Sequence, residues 1–137
     1  MVTVDWKGEM AFEATPPSGV KFIMDSPESD DEVPQGPSPL EAFLGALGAC
    51  SAMDVISILK KKRQTVTSYK IEVEGVRGPR GEYPRPYTAL TIRHILSGED
   101  LDPGAVERAI ELTESKYCSV IMTLRESPPV CSEWRIE

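Results

Sequence analysis

Several things are scarce in this chain, and each scarcity excludes something. Cysteine occurs only at positions 50, 118 and 131. An odd count argues against a disulfide framework, and two suitably placed cysteines are candidates for transient redox chemistry. Histidine occurs once, at position 94, with no acid or second ligand in recognisable spacing. A zinc site from Cys50, Cys118, Cys131 and His94 would need four distant ligands to converge, and no CxxC pair seeds one. There is no glycine-rich phosphate loop and no Ser-His-Asp order. Neither metal nor cofactor is therefore expected. Positive charge is also short, with 15 Lys and Arg against 22 Asp and Glu and a net charge of −7. A duplex nucleic acid partner would favour a basic surface. The one basic run, Lys60-Lys61-Lys62-Arg63, falls at a predicted helix C-terminus, where cations complement the macrodipole. No apolar run reaches the roughly 18–20 residues that span a bilayer. The opening MVTVDWKGEM lacks the basic-then-apolar order of a signal peptide. The expectation is a cytoplasmic protein with no nucleic acid and no membrane partner.

What is present fits one domain over residues 1–137, with 40% apolar and 27% charged residues. Val2, Val4 and Trp6 alternate with polar neighbours, Gly8 offers a turn, and Met10, Phe12 and Ala14 alternate again. Val20 to Met24 makes a third short strand, so a three-stranded meander is predicted. Asp25 to Pro37, with prolines at 27, 34 and 37 and a run of acids, is a surface loop, either a lid or a plain connection. Ser38-Pro39-Leu40-Glu41 is a capping box with proline at the first helical position. The helix it starts should run to about Lys62. Its middle, AFLGALGACSAMDVISIL, carries one charge, Asp54, and a helix apolar nearly all round is expected to be buried. Gly45 and Gly48 each cost about 1 kcal/mol of helix propensity, which a closely approaching backbone would explain.

Tyr69, Ile71, Val73 and Val76 mark a fourth strand and Tyr87 to Leu96 a fifth, joined by the Gly- and Pro-rich tip Arg77 to Pro86. Asp102 and Pro103 start a second helix with a stripe of Val106, Ala109, Ile110 and Tyr117. Ser119 to Arg125 is a short third helix ended by Pro128-Pro129. Val130, Ser132, Trp134 and Ile136 alternate with Cys131, Glu133, Arg135 and Glu137 as a last strand. Strands, long helix, strands, helices and strand in that order define an α+β protein.

Cys50 reads in two ways. It packs well as a small hydrophobe, yet its small neighbours Ala49 and Ser51 leave room beside the sulfur. Cys118, beside Lys116 at a helix start, stands where a thiolate is favoured. Apolar surroundings raise a thiol pKa, so an active Cys50 needs a cation from elsewhere, with Arg77, Arg80, Arg85, Arg93 and Arg125 as candidates. Glu41 is a capping residue or a carboxylate partner of the thiol. Nine residues at 3.6 per turn rotate it to the helix face opposite Cys50. His94 reads as a packed residue, and Cys131 as a bystander.

GPSPLEAFLGALGACSAMDVISILKKKRQ resembles the central helix of the OsmC/Ohr superfamily, and SKYCSV resembles the site of that family's second cysteine. The likeness covers the whole chain in element order and is greatest to the YhfA-like branch. It implies antiparallel sheets wrapped around a long buried central helix in an intertwined homodimer. It also implies that Cys50 attacks an organic hydroperoxide, that Cys118 resolves the sulfenic acid as a disulfide, and that a dithiol such as lipoamide reduces it. Glu41 stands nearest to the family's site glutamate, which directly follows the proline where this chain has Leu40. The peroxidases of the family activate the cysteine with an arginine of the N-terminal sheet. Residues 1–24 contain none here, only Lys7 and Lys21. That departure keeps a non-enzymatic ligand-binding or thiol-sensing module, or a plain structural dimer with inert cysteines, as the alternatives.

Overall fold

The computed structural model describes residues 1–29 and 31–136; Asp30 of the acidic loop and Glu137, the end of the predicted last strand, lie outside the described residues. The chain forms two compact units, Met1–Ala46 and Leu47–Glu137.

The first unit holds the predicted meander. β1 (Thr3–Gly8), β2 (Ala11–Thr15) and β3 (Phe22–Met24) are antiparallel in the order β1-β2-β3. The register pairs Trp6 with Phe12 and Phe12 with Met24, and Val4 with Ala14 and Ala14 with Phe22. Side chains directly opposite share a face, so these apolar residues line one side of the sheet. Ala14 is buried, but Val4, Trp6, Phe12 and Phe22 remain exposed. The loop after β3 is largely exposed, as expected, yet its end is fixed. Buried Asp25 accepts from the Gln35 N–H at 3.0 Å, and the Asp25 N–H donates to the Pro37 carbonyl at 3.1 Å. A Cβ on Gly36 would fall 2.1 Å from the Ile23 carbonyl oxygen, so only glycine fits there.

α1 (Pro39–Lys61) starts at the capping box. The Ser38 N–H and hydroxyl donate to the Glu41 carboxylate at 2.7 and 2.8 Å, and the Glu41 N–H donates back to the Ser38 hydroxyl at 3.3 Å. α1 was expected to be buried nearly all round. In the single chain it is buried along one face only, through Leu47, Gly48, Ser51, Val55 and Leu59, while Gly45, Ala49, Met53 and Ser57 are exposed. The exposed set repeats every four residues, so it is one stripe of the helix. Only Gly48 answers to close packing. A Cβ there would lie 2.8 Å from Val73 Cγ2, whereas one on Gly45 meets nothing within 4 Å. The approaching group is a side chain, not the expected backbone. By length and composition alone α1 could cross a bilayer. Its buried stripe instead packs on a sheet and a second helix, as in the core of a folded domain.

In the second unit, β4 (Thr65–Arg77) and β5 (Tyr87–Glu99) form a long antiparallel hairpin. Tyr69 opposes Leu96, Ile71 opposes His94, Val73 opposes Ile92 and Gly75 opposes Leu90. Val76, predicted as part of the apolar set, is three residues from Val73, so the strand's alternation turns it to the opposite face, where it is exposed. α2 (Pro103–Leu112) is capped by Asp102, whose carboxylate accepts from the Gly104 N–H at 3.0 Å. Val55 and Leu59 of α1 meet Ala105 and Ala109 of α2 in one cluster, and Leu47 meets Cys118 and Ile121 in another.

Tyr117 departs from its predicted stripe and is about half exposed. The cause is a π-helical turn, Thr113–Tyr117, in which the Cys118 N–H donates to the Thr113 carbonyl at 2.9 Å. The wider turn shifts every later side chain around the axis. α3 (Ser119–Glu126) follows and ends at Ser127 in a left-handed conformation. The predicted last strand does not form among the described residues, and Val130, Trp134 and Ile136 are 90, 86 and 88% exposed. A strand needs a partner edge for its backbone groups, and no described strand pairs with this segment.

Candidate active site

Two segments bring the thiols together. Cys50 is half-buried on α1, beside the stripe formed by Leu47, Ser51 and Val55. The π-helical turn delivers Cys118 as the extended residue that opens α3, with its side chain fully buried. Both are free thiols, and their sulfurs lie within 4.8 Å of each other. A carboxylate oxygen of Asp54 lies within the same distance of both. Asp54 was noted in the sequence only as the one charge of an apolar helix. The signal that could have found it is its place four residues after Cys50, one turn along the same face. Cys131 is exposed in the irregular C-terminal segment and His94 is not part of the cluster, so the four-ligand set weighed from the sequence is not assembled.

Burial pushes the Cys118 thiol above its ordinary pKa. The Ile121 amide opposes this, the Cys50 thiol adds to it, and the Val120 amide opposes it weakly. The expectation of a favoured thiolate at Cys118 is thus corrected. The helix-start amides are present, but desolvation outweighs them. Lys116 contributes nothing visible to the sulfur; its ammonium lies over the Tyr117 ring, 5.3 Å from the centroid.

Of the five candidate arginines, three are engaged elsewhere and a fourth is exposed. Arg77 donates to the Arg85 carbonyl and covers the Tyr87 ring, Arg85 donates to the Gly78 carbonyl, Arg93 pairs with Glu74, and Arg80 is exposed in the hairpin tip. Arg125 differs. It donates to the Glu114 carbonyl at 2.6 Å and lines a cavity of about 350 Å³ with Leu47, Leu90, Ile92, Glu114, Ile121 and Leu124. Leu47 and Ile121 also pack on Cys118, so the cavity and the buried thiol share a wall. In the N-terminal sheet Lys21 and Lys7 lie 2.8 and 3.9 Å from the Glu13 carboxylate, so both cations are already paired.

Glu41 makes its hydrogen bonds within the cap. The Ser38 N–H, then the Ser38 hydroxyl, hold its carboxyl below the ordinary glutamate range. A depressed pKa in the folded state gives stabilisation that is complete above the ordinary glutamate pKa. That stabilisation is lost as pH falls through the lowered value. Glu41→Gln should therefore be less stable than the parent near neutral pH, with the difference shrinking in acid. Urea denaturation of both proteins across an acid pH series checks this; a difference independent of pH contradicts it.

His94 sits elsewhere. Its Nδ1 is 2.6 Å from the Tyr69 hydroxyl, and its buried Nε2 has no hydrogen-bond partner among the described residues. Burial lowers the His94 pKa, against an opposing pull from Glu114, and burial raises the Tyr69 phenol to about 12. The packed reading of His94 agrees with this neutral pair.

A family profile described as OsmC-like protein matches residues 29–133. The chain belongs to the OsmC-like family. Among individual relatives it is similar to protein YhfA of Escherichia coli strain K12, 36% identical over 133 residues that cover 97% of this chain and 95% of that one. A hypothetical protein from Aquifex aeolicus has a crystal structure 31% identical in sequence, with a TM-score of 0.75 over 93% of this chain and 87% of that one. An OsmC-like hydroperoxide resistance protein from Jannaschia sp. shares the fold, with a TM-score of 0.59, 20% identity, and coverage of 98% and 91%. The α+β fold with antiparallel sheets and a long central helix, and the family inferred from the cysteine motifs, are both borne out.

Proposed function

We propose that this protein is a cysteine-dependent peroxidase that reduces organic hydroperoxides through Cys50 and Cys118. The observation that carries the reading is the meeting of these two free thiols within 4.8 Å. The cavity beside the cluster offers Leu47, Leu90, Ile92, Ile121 and Leu124 to the organic part of a hydroperoxide, with Glu114 and Arg125 on the same wall. Half-buried Cys50 is the more accessible thiol and takes the role of attacker. Its thiolate sulfur bonds to the terminal peroxide oxygen, the O–O bond breaks, and the alkoxide leaves as the alcohol with the proton given up by the thiol. The product on Cys50 is a sulfenic acid. Cys118 then attacks that sulfur, its proton and the hydroxide leave as water, and a disulfide remains. A dithiol such as lipoamide gives up two electrons and two protons to restore both thiols. Arg125 lines the cavity wall while one of its guanidinium nitrogens donates to the Glu114 carbonyl, and it takes the place of the N-terminal arginine the family's peroxidases use. The name of the Jannaschia neighbour points the same way. The reading also fits a cytoplasmic setting, where free thiols persist.

The test counts thiols. Reduced protein given one equivalent of cumene hydroperoxide should lose two thiols rapidly. Loss no faster than that of free cysteine would favour the non-enzymatic ligand-binding or thiol-sensing reading. That alternative draws on the pairing of Lys7 and Lys21 with Glu13, which leaves the N-terminal sheet no free cation among those two.

The unit of function is a homodimer in this proposal. Three apolar features lack cover in the single chain: the α1 stripe of Ala49 and Met53, the Trp6 and Phe12 face of the first sheet, and the C-terminal Trp134 and Ile136. Exposed apolar surface of this extent marks an interaction site. Met53, 68% exposed, is central to the helix stripe, and Met53→Lys should place a charge against its own copy. Light scattering after gel filtration should find the parent at twice the chain mass and the variant shifted to monomer. A parent that is monomeric at tens of micromolar rules the dimer out.

A further inference from the structure

We infer that Cys50, Asp54 and Cys118 together form a binding site for a thiophilic divalent cation of the zinc class. The inference uses the same sulfurs as the peroxidase reading but does not depend on turnover.

Three ligand atoms, two sulfurs and one carboxylate oxygen, lie within 4.8 Å of one another. In a tetrahedral zinc site with Zn–S near 2.3 Å, neighbouring ligand atoms stand about 3.8 Å apart. The cluster therefore needs to contract by no more than about 1 Å, which side-chain rotation supplies. The arrangement is also fixed at its base. Cys50 and Asp54 are one turn apart on α1, while Cys118 is set by the π-helical turn and the packing of Leu47 and Ile121. The Asp54 carboxylate has no hydrogen bond or ion pair with any described residue, although Asp54 is half-buried. A divalent ion would give this carboxylate a partner and join it to the two sulfurs in one coordination shell. Binding would convert both thiols to thiolates and release two protons.

The donor set decides the class of ion. Two thiolates and one carboxylate suit zinc and its softer neighbours better than magnesium or calcium, which take oxygen ligands. Three protein ligands leave the fourth position for water or a small ligand, the pattern of an open site. A route to it exists, because Asp54 also lines a cavity of about 220 Å³ with Ser57, Lys61 and Tyr117.

The ion and the disulfide exclude each other. With the ion bound, two thiolates, one hydroperoxide and two protons give a disulfide, an alcohol, water and the released divalent ion. A bound cation would thus protect the thiols until an oxidant expels it.

The test uses the reduced full chain with Co²⁺ as a probe, without oxidant. One equivalent should bring in the visible bands of a tetrahedral cobalt centre and thiolate-to-metal charge transfer in the near ultraviolet, and Zn²⁺ should displace both. Cys50→Ser and Cys118→Ser should each abolish the charge-transfer signal of the paired site, and Asp54→Asn should weaken affinity about 10-fold or more. Cys131→Ser should change nothing. Circular dichroism confirms that each variant is folded, and Asp54→Ser serves as a second variant at that position. Absence of the bands, retention of full affinity in both Asp54 variants, or loss of binding in Cys131→Ser overturns the site. These outcomes are independent of the thiol count with hydroperoxide, so the metal site and the peroxidase can fail separately.

Discussion

Cys118→Ser protein exposed to one equivalent of an organic hydroperoxide should stop at a sulfenic acid on Cys50. The argument begins with exposure. Cys118 is fully buried and its thiol is pushed up, chiefly by burial. A buried, protonated thiol makes a poor first nucleophile, because the thiolate is the reactive form. Cys50 is half-buried and therefore meets the peroxide first. The second step asks less of Cys118, since its target is a sulfur within 4.8 Å and no diffusion is required. Removing Cys118 should leave the first step near its parent rate and block closure, so a sulfenic-acid trap such as dimedone labels Cys50 stoichiometrically. Removing Cys50 takes away the nucleophile, and the rate should fall on the order of 10³-fold or more. Mass spectrometry of trapped protein, with stopped-flow thiol loss, reads both results. Dimedone found on Cys118 in the Cys50→Ser protein at parent rates would reverse the roles, and the proposed order would have to be given up.

How much of this was legible beforehand depended on range. The capping box at Ser38 and Glu41 is local chemistry, and it formed as written because all its partners lie within four residues. The meander and the long hairpin were visible through alternation for the same reason. The π-helical turn was not. No residue in Thr113–Tyr117 announces a wider turn, and without it the helix period carries Tyr117 to the wrong side. Asp54 was missed because its importance is tertiary; only the arrival of Cys118 from 64 residues away makes a lone acid part of a cluster. The last strand failed for the opposite reason. Alternation at Val130, Trp134 and Ile136 is a real local preference, but a strand is a property of two segments, and no described strand pairs with this one. The one-faced burial of α1 has the same origin. Composition reports that a helix must be covered, not whether its own chain supplies the cover.

Leu59→Ala should destabilise the protein by about 2–5 kcal/mol, the range for truncating a fully buried leucine. Leu59 is 0% exposed and sits with Val55, Ala105 and Ala109, flanked by Val66, Tyr69 and Leu96. Two of those neighbours are alanines, too short to collapse into the space left behind, which favours the upper part of the range. Single domains are stable by about 5–15 kcal/mol, so the loss is a large fraction of the whole, and urea denaturation should show it as a lowered midpoint. The thiol chemistry should nonetheless survive in protein that remains folded, because Cys118 packs with Leu47 and Ile121 in a separate cluster. Gly48→Val makes the contrasting case. Its Cβ would stand 2.8 Å from the stiff Val73 side chain, and overpacking of that kind costs about 1–3 kcal/mol. The damage falls two residues from Cys50, against the strand that packs on the cysteine cluster. The smaller loss of stability should therefore bring the larger slowing of disulfide closure. If closure instead tracks stability across the two variants, the clusters are mechanically one, and the sulfurs are held by the core as a whole rather than by their immediate neighbours.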